Sequence, residues 1–360
     1  MNSQSLADPG QLNADRLRFL DIARGLAVLG VIAVHTVQQF PTNVRPLDWW
    51  LGLGQFGVQL FFVISAYTMC MTLAARRHTE RRPFIAFIVR RFCRLAIPMW
   101  AAMFLYSLFL IFDIPYFASK SLDGWVILLN AAMLSALSPT AFGVCVPGSG
   151  SIATEALFYL VFPMLFGMRR SPVALSVTCI ASVLADYFLF RPAVLFIVDL
   201  SGGADSHVLN QYFLYGLNKQ LPVFLAGMLL FAFYDRECEF KLTEWMWIAA
   251  ATVFFGLFSG FIAIVAVVSW LVAYALRRSG FGSEVIGWLG RHSYSIYLFH
   301  FAALNLFLMA IPQAQRSGLF PFCFVACVAL TAAAARFTKV WLEDAGTQLG
   351  RALVVRWKLA

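Results

Sequence analysis

Long apolar runs separated by short polar and basic segments dominate the chain. A membrane-crossing helix needs roughly 17 to 25 predominantly apolar residues, and ten runs approach or meet that requirement. The predicted spans are residues 19–40, 56–75, 95–114, 152–168, 172–190, 216–234, 245–260, 261–276, 288–310 and 318–337. The pattern therefore predicts an all-α polytopic membrane protein with about ten transmembrane helices.

The basic residues between these runs predict the orientation of the chain. Short loops rich in arginine face the cytoplasm, and ten spans with a cytoplasmic N-terminus place the main basic segments on that side. These segments are residues 76–94, 169–170, Arg236, 277–278 with Arg291, and the stretch from Arg336 onward. Both termini are therefore predicted to be cytoplasmic.

A further apolar segment, WVILLNAAMLSALSP at residues 125–139, does not fit this alternation. If it were an eleventh span, every later basic segment would lie outside. We therefore predict a re-entrant or half-inserted segment, packed against protein because irregular backbone is not tolerated against lipid.

The chain contains no repeat of fixed period and no low-complexity tract. We predict one membrane domain over residues 16–340, preceded by a polar cytoplasmic tail (1–15) and followed by a basic cytoplasmic tail (341–360). Residues 1–15 have no apolar core with a cleavage site, so the first span is expected to act as its own insertion signal.

Composition supports this class. Of 360 residues, 61% are hydrophobic and only 12% charged, which is more apolar surface than a soluble fold buries. The net charge of +9 lies in clusters between the spans, so it indicates topology and contact with membrane lipid, and no nucleic-acid partner is expected. The seven cysteines show no metal-ligand spacing and are interpreted as buried thiols; no metal site is predicted.

The first span carries three groups that lipid penalises, Asp21, Arg24 and His35. Arg24 and His35 are separated by about three helical turns plus roughly 20°, so both point to one side of the helix, about 16 Å apart along its axis. Asp21 lies one turn before Arg24 and is placed to pair with it. An ionised residue in a membrane span costs about 2.5 to 3.5 kcal/mol of insertion free energy. The shared polar face of this helix therefore predicts a polar cavity beside it. The alternative is that Arg24 snorkels to the interface and His35 stabilises a helix contact.

Two later spans carry isolated polar groups. Glu155 follows a glycine-rich turn at the start of an apolar run, where it either caps a helix or belongs to the cavity. His300 lies inside a span, with Ser293 and Tyr297 in the preceding turns. This histidine is either a structural residue or part of a site. The hypothesis is that His35, Glu155 and His300 converge on one cavity.

The segment RRPFIAFIVRRFCRLAIP at residues 81–98 is predicted to be a basic cytoplasmic loop. Arg90 and Arg91 lie four and three positions before Arg94, which makes one helical face cationic. Arginine guanidinium groups suit phosphate oxygens. The alternative is that these charges only hold the segment inside and contact anionic lipid.

Five segments between residues 16 and 301 resemble, in the expected order, the motifs of acyltransferase family 3, a family of integral-membrane O-acyltransferases. The segments are DIARGLAVLGVIAVH (21–35), GVQLFFVISAY (57–67), FIVRRFCRLAIP (87–98), SIATEALFYLVFP (151–163) and RHSYSIYLFH (291–300). Ala66 and Gly150 stand where the family has glycine and tryptophan, and Ala345 stands where a proline commonly follows the glutamate that is Glu343 here. The absence of this tryptophan affects the expected contact with the acceptor more than the expected reaction.

The resemblance implies transfer of a short acyl group, commonly acetyl, from cytoplasmic acyl-coenzyme A to a hydroxyl group. The acceptor would be a glycan, a lipid-linked sugar or a glycosylated small molecule, and the enzyme would lie in the bacterial cytoplasmic (inner) membrane. Acyl-coenzyme A would be a substrate, and no permanently bound cofactor is expected.

The expected site combines catalytic and substrate-binding groups. The catalytic candidates are His35, Arg24, Glu155 and His300. The substrate-binding candidates are Arg90, Arg91, Arg94, Asp21, Ser151, Tyr159, Ser293 and Tyr297. His35 would deprotonate the acceptor, or a histidine would carry the acyl group transiently. Glu155 would orient a histidine or bind the sugar, and Arg24 would stabilise a thioester oxyanion or a phosphate.

Two other classes of protein remain as alternatives. Buried Arg, His and Glu also build proton relays in secondary transporters and proton-coupled permeases, although no inverted repeat is evident in this chain. The chain would be a structural or interaction subunit without catalytic activity only if the five segments served helix packing alone.

Overall fold

The computed structural model describes residues 9–112, 114, 123–200, 203–235 and 239–359, with side chains from residue 18 onward. Arg236, Cys238 and the first eight residues of the predicted N-terminal tail lie outside the described residues. The described part of the chain contains helices and no strand, which confirms the all-α prediction. The α-helices are α1 (Pro9–Gln39), α2 (Arg45–Gly52), α3 (Gly57–Arg76), α4 (Pro83–Ile111), α5 (Gly124–Ala131), α6 (Ser149–Leu165), α7 (Pro172–Ala185), α8 (Arg191–Leu200), α9 (Ser206–Tyr215), α10 (Leu217–Asp235), α11 (Leu242–Ser259), α12 (Phe261–Ser279), α13 (Glu284–Arg291), α14 (Ser293–Ala310), α15 (Phe320–Thr338) and α16 (Ala345–Arg356).

Ten helical segments of the described chain are long and apolar enough to cross a membrane, as predicted. Several helices join to make one such segment. α7 continues through a π-helical turn at Asp186–Phe190 into α8, and α9 is followed by α10 after a break at Gly216. The count from hydropathy is therefore confirmed.

The third span begins earlier than predicted. α4 starts at Pro83 instead of residue 95, so the basic segment expected to be a loop forms its first turns. Proline is favoured at the first helical position because its missing N–H needs no partner there. With 29 residues, α4 is about 44 Å long, which exceeds the hydrocarbon thickness of about 30 Å. The helix can therefore carry its basic turns beyond the hydrocarbon core.

The segment predicted to be re-entrant contains α5, whose eight residues extend only about 12 Å. Its polar groups bond to protein: Asn130 Nδ2 donates to the carbonyl oxygens of Val126 and Ala141, each at 2.9 Å. The carbonyl of Ala131 accepts from Trp100 Nε1 at 2.8 Å. α5 is too short to cross a membrane, as expected for a re-entrant segment, and only its Val126, Leu129 and Asn130 are buried. The chain then leads into the 142–148 loop.

Most of the segment predicted to be a C-terminal tail is helical. α15 passes through a π-helical turn at Lys339–Asp344 into α16, which packs against α4. Val354 is buried in this contact, and the Arg82 N–H donates to the carbonyl of Leu359 at 3.0 Å. The C-terminal residues therefore hold the basic end of α4 in place.

The first helix is enclosed by its neighbours. α1 packs against α3, α13 and α14, and its contact with α13 is so close that a Cβ atom on Gly290 would lie 1.7 Å from the carbonyl oxygen of Asp21. Only glycine permits such an approach of two backbones. This packing fixes the rotation of α1 and hence the direction of Arg24 and His35.

Candidate active site

Five helices, α1, α3, α4, α6 and α14, enclose a polar cavity of about 80 Å³. We call it the arginine chamber. Its polar lining consists of Arg24, Ser65, Arg91, Arg94, Ser151, Glu155, Tyr159, Ser293, Tyr294 and Tyr297. Eight of the site residues predicted from the sequence are among them.

Arg24 lies at this chamber with its guanidinium held from two sides. Its Nη2 donates to Thr68 Oγ1 at 3.1 Å, and its Nη1 lies 3.8 Å from Asp21 Oδ1. The other oxygen of Asp21 lies 3.6 Å from Arg291. Asp21 is therefore shared by two arginines and supports Arg24 from outside the chamber lining.

Glu155 faces the chamber from the interior of α6. It is the seventh residue of that helix, which begins at Ser149, so it lies beyond the first turn and the capping explanation does not apply. Its Oε1 accepts hydrogen bonds from Tyr159 Oη at 2.7 Å and from Ser65 Oγ. These two donors fix the carboxylate in place, and neither was paired with Glu155 by sequence reasoning.

The arginines of α4 separate into two environments. Arg91 lies 3.5 Å from Thr72 Oγ1 and 5.7 Å from the centre of the Tyr159 ring. Arg94 lines the chamber and has no hydrogen bond or ion pair with any described residue. Arg90, also predicted to bind substrate, instead forms an ion pair with Glu80 at 2.8 Å and lines neither cavity described here. The predicted cationic face is thus reduced to Arg91 and Arg94.

A second polar cavity of about 350 Å³ adjoins the first. It lies between α1, α3, α6, α9, α14 and the 142–148 loop, and we call it the histidine chamber. Its polar side chains are His35, Gln38, Gln55, Ser151, His207, Gln211, Tyr215 and Tyr297. None of the described residues that line it is Asp, Glu, Lys or Arg.

His35 is one of two imidazoles in this chamber, the other being His207. Its Nδ1 lies 3.1 Å from Gln38 Oε1. Because an amide oxygen only accepts, this contact assigns the proton to Nδ1 and leaves a lone pair on Nε2. The imidazole is thereby oriented as a proton acceptor.

His300 lies behind His35 and lines neither chamber. Its ring is fully buried, stacks on His35 with ring centres 5.3 Å apart, and donates from Nδ1 to the carbonyl of Tyr297 at 2.6 Å. His300 is therefore placed to support His35.

A hydrogen-bonded wall separates the chambers. Val58, Ser151 and Tyr297 line both cavities. The hydroxyl oxygens of Ser151 and Tyr297 are 2.8 Å apart and lie 2.9 and 3.1 Å from the Gly148 carbonyl oxygen. Since each hydroxyl has one hydrogen, one of them donates to the other, which donates to the carbonyl.

The expected single cavity is therefore divided in two. Glu155 lies in the arginine chamber and His35 in the histidine chamber. Periodicity along α1 predicted which side Arg24 and His35 face. It could not predict the division, because the side chains that separate the two chambers, Ser151 and Tyr297, come from α6 and α14.

Gly150 occupies the position where the resemblance places a tryptophan. A Cβ atom there would lie 2.4 Å from the Phe142 ring, and Phe142 lines the histidine chamber. A larger residue at position 150 would displace that ring, so the 142–148 loop supplies the aromatic group at this point.

A buried carboxylate that sequence reasoning left out of the site fixes the start of α14. Glu343 is 2% exposed, and its Oε1 accepts from the Ser295 N–H at 3.1 Å and from Ser295 Oγ at 2.6 Å. A carboxylate at a helix N-terminus satisfies a free N–H group and interacts favourably with the helix dipole. This cap holds the turn that carries Ser293 and Tyr297.

Comparison with known proteins assigns the chain to a family. The model of acyltransferase family 3, described as an acyltransferase domain, matches residues 17–336. Comparisons with curated proteins and with solved structures gave no match. Since the matched range covers nearly the whole chain and contains both chambers, the protein is an integral membrane acyltransferase that belongs to acyltransferase family 3.

Proposed function

We propose that the protein transfers a short acyl group, acetyl in particular, from cytoplasmic acyl-coenzyme A to a hydroxyl group of a glycan, a lipid-linked sugar or a glycosylated small molecule. The proposed location is the bacterial inner membrane, with both termini in the cytoplasm. One observation carries the proposal: two polar chambers share a wall, with three arginines on one side and an oriented imidazole on the other.

The arginine chamber is the proposed donor site. Its arginines come from the first turns of α4 and the first half of α1, where the basic segments are concentrated. Coenzyme A carries phosphates, and guanidinium groups bind phosphate through charge-assisted hydrogen bonds. Arg94 is free to make such bonds, while a cavity of about 80 Å³ admits the narrow thioester end of the donor. Arg24, about three helical turns from His35, would bind a phosphate of the donor.

The histidine chamber is the proposed acceptor site. In the direct route, His35 Nε2 takes the proton from the acceptor hydroxyl as its oxygen attacks the thioester carbon. The carbon–sulfur bond then breaks, the sulfur leaves as thiolate and receives a proton, and the products are an ester and free coenzyme A. In the relay route, a histidine nitrogen attacks the thioester carbon and displaces coenzyme A as thiolate. The acceptor hydroxyl then takes the acyl group from the nitrogen, which receives the hydroxyl proton. Both routes need the thioester to pass the Ser151–Tyr297 contact.

The family assignment, which covers residues 17–336, favours acyl transfer over a proton-coupled permease.

A direct assay tests the proposed reaction. The purified protein in lipid nanodiscs, given acetyl-coenzyme A and a glycan and glycolipid extract from the host, is expected to release free thiol. Mass spectrometry should show acetyl-sized additions to an acceptor in the same samples. Release should depend on the extract and fall as the acyl chain lengthens. Absence of thiol release with every short-chain acyl-coenzyme A would contradict the proposal.

A further inference from the structure

The two chambers differ sharply in charge. Arg24, Arg91, Arg94 and Glu155 line the arginine chamber, whereas no Asp, Glu, Lys or Arg is found among the described residues around the histidine chamber. The polar groups of the histidine chamber are hydroxyls, imidazoles and three glutamine amides. A ligand in this chamber therefore meets hydrogen-bonding groups without a fixed counter-charge.

Two of these amides have no role within the protein. Gln38 binds His35, but the side chains of Gln55 and Gln211 make no hydrogen bond to any other described residue. Both are half-buried, and they come from two separate segments, the turn before α3 and helix α9. An amide has two donor hydrogens and an acceptor oxygen, so it matches hydroxyl groups, which also donate and accept.

The rest of the lining completes a site for a small hydroxylated ring. Phe142, Tyr215 and Phe301 present aromatic surface to the cavity. A volume of about 350 Å³ lies at the lower end of the range for small-molecule sites, about 300 to 1,000 Å³. Apolar walls with a few placed polar groups are typical of such sites.

We infer that the histidine chamber selects an uncharged, hydroxyl-rich sugar unit, bound through Gln55 and Gln211 with its reacting hydroxyl at His35 Nε2. This inference rests on the proposed function. It narrows the proposed acceptor from any hydroxyl-bearing molecule to one whose bound sugar unit is uncharged. A carboxylate, phosphate or sulfate on the bound unit would lose part of its hydration with no arginine or lysine of the chamber to pair with, which is unfavourable. Charged parts of a larger acceptor therefore remain outside the chamber.

Matched ligand pairs test the selection. The probes are the methyl glycosides of glucose, galactose and mannose, each compared with its uronate, which replaces one CH₂OH group by a carboxylate. Binding to the full chain in nanodiscs is measured by saturation-transfer NMR. At least one neutral glycoside is expected to bind about tenfold more tightly than its uronate.

Variants of the chamber assign the contact. Gln55→Leu with Gln211→Leu should weaken binding of the neutral glycoside by about tenfold or more. The matched control is Gln313→Leu, an exposed loop glutamine outside both chambers, which should bind as the wild type does. Gln211→Lys places a cation in the chamber and is expected to improve binding of the uronate, which gives a readout even if the double variant fails to fold.

The outcomes separate this inference from the proposed function. Equal binding of the uronates, no binding of any neutral glycoside, or unchanged binding in a folded double variant would overturn the inference. If glycosides bind as expected but no acyl-coenzyme A releases thiol, the acyltransfer proposal fails while the chamber assignment stands. Binding of coenzyme A, measured in each variant, checks that the arginine chamber is intact.

Discussion

Replacement of His35 by alanine is expected to lower acyl turnover by about 100-fold or more, because general acid–base catalysis contributes roughly 10² to 10⁴. The hydroxyl would lose its proton acceptor, while the donor site on the other side of the Ser151–Tyr297 contact would remain. The KM for acyl-coenzyme A should therefore change little. Initial rates of thiol release at saturating donor measure the effect.

The control for this prediction is His292→Ala. His292 stacks on Trp288 with ring centres 3.9 Å apart and lines neither chamber, so its removal should leave turnover within about twofold, as for an uncritical contact. Both variants are compared with the wild type by size exclusion and thermal unfolding. Full turnover in folded His35→Ala would mean that His35 is not the base.

Replacement of Arg94 by glutamine is expected to raise the KM for acyl-coenzyme A by about 10- to 100-fold. A hydrogen bond to a charged group contributes roughly 1.5 to 3 kcal/mol, and Arg94 makes no hydrogen bond or ion pair with any described residue that would compensate. Because phosphate binding is equal in the ground and transition states, kcat should fall much less than kcat/KM. Steady-state kinetics with varied donor concentration measure both constants.

The same helix offers a matched control in Arg90→Gln. Arg90 is ion-paired with Glu80 and lies outside both chambers, so its loss should change the donor KM by no more than about threefold, as for a site distant from the donor. If Arg90→Gln raised the donor KM as much as Arg94→Gln, or if Arg94→Gln affected only the acceptor KM, the assignment of the donor site would be wrong.

Much of the fold follows from local pattern. Hydropathy identified the ten spans because lipid imposes a length and a composition on each helix. The early start of α4 and the presence of α16 were not predicted, because their helical structure depends on packing between these two helices, as at Val354 and Leu359. Such contacts join residues distant in sequence and leave little trace in local composition.

The site was predictable where one helix determines it. The spacing of Arg24 and His35 placed both at polar chambers because it follows from helical geometry alone. The environment of Arg90 depends on Glu80, ten positions away across a turn, so the cationic face was overestimated.

Other parts of the site lie on different helices and were not predictable in this way. Gln38 was missed although it lies three positions after His35, which is a detectable signal. Gln55 and Gln211 come from separate segments and give no local signal.

The central claim is that donor and acceptor occupy separate chambers, and that the donor enters from the cytoplasm. Sealed membrane vesicles of opposite orientation test this most directly, because acetyl-coenzyme A does not cross the bilayer. Labelled acetyl-coenzyme A added outside is expected to yield acylated acceptor in inside-out vesicles, and in right-side-out vesicles only after permeabilisation. Equal transfer in sealed vesicles of both orientations, or transfer confined to sealed right-side-out vesicles, would contradict the account.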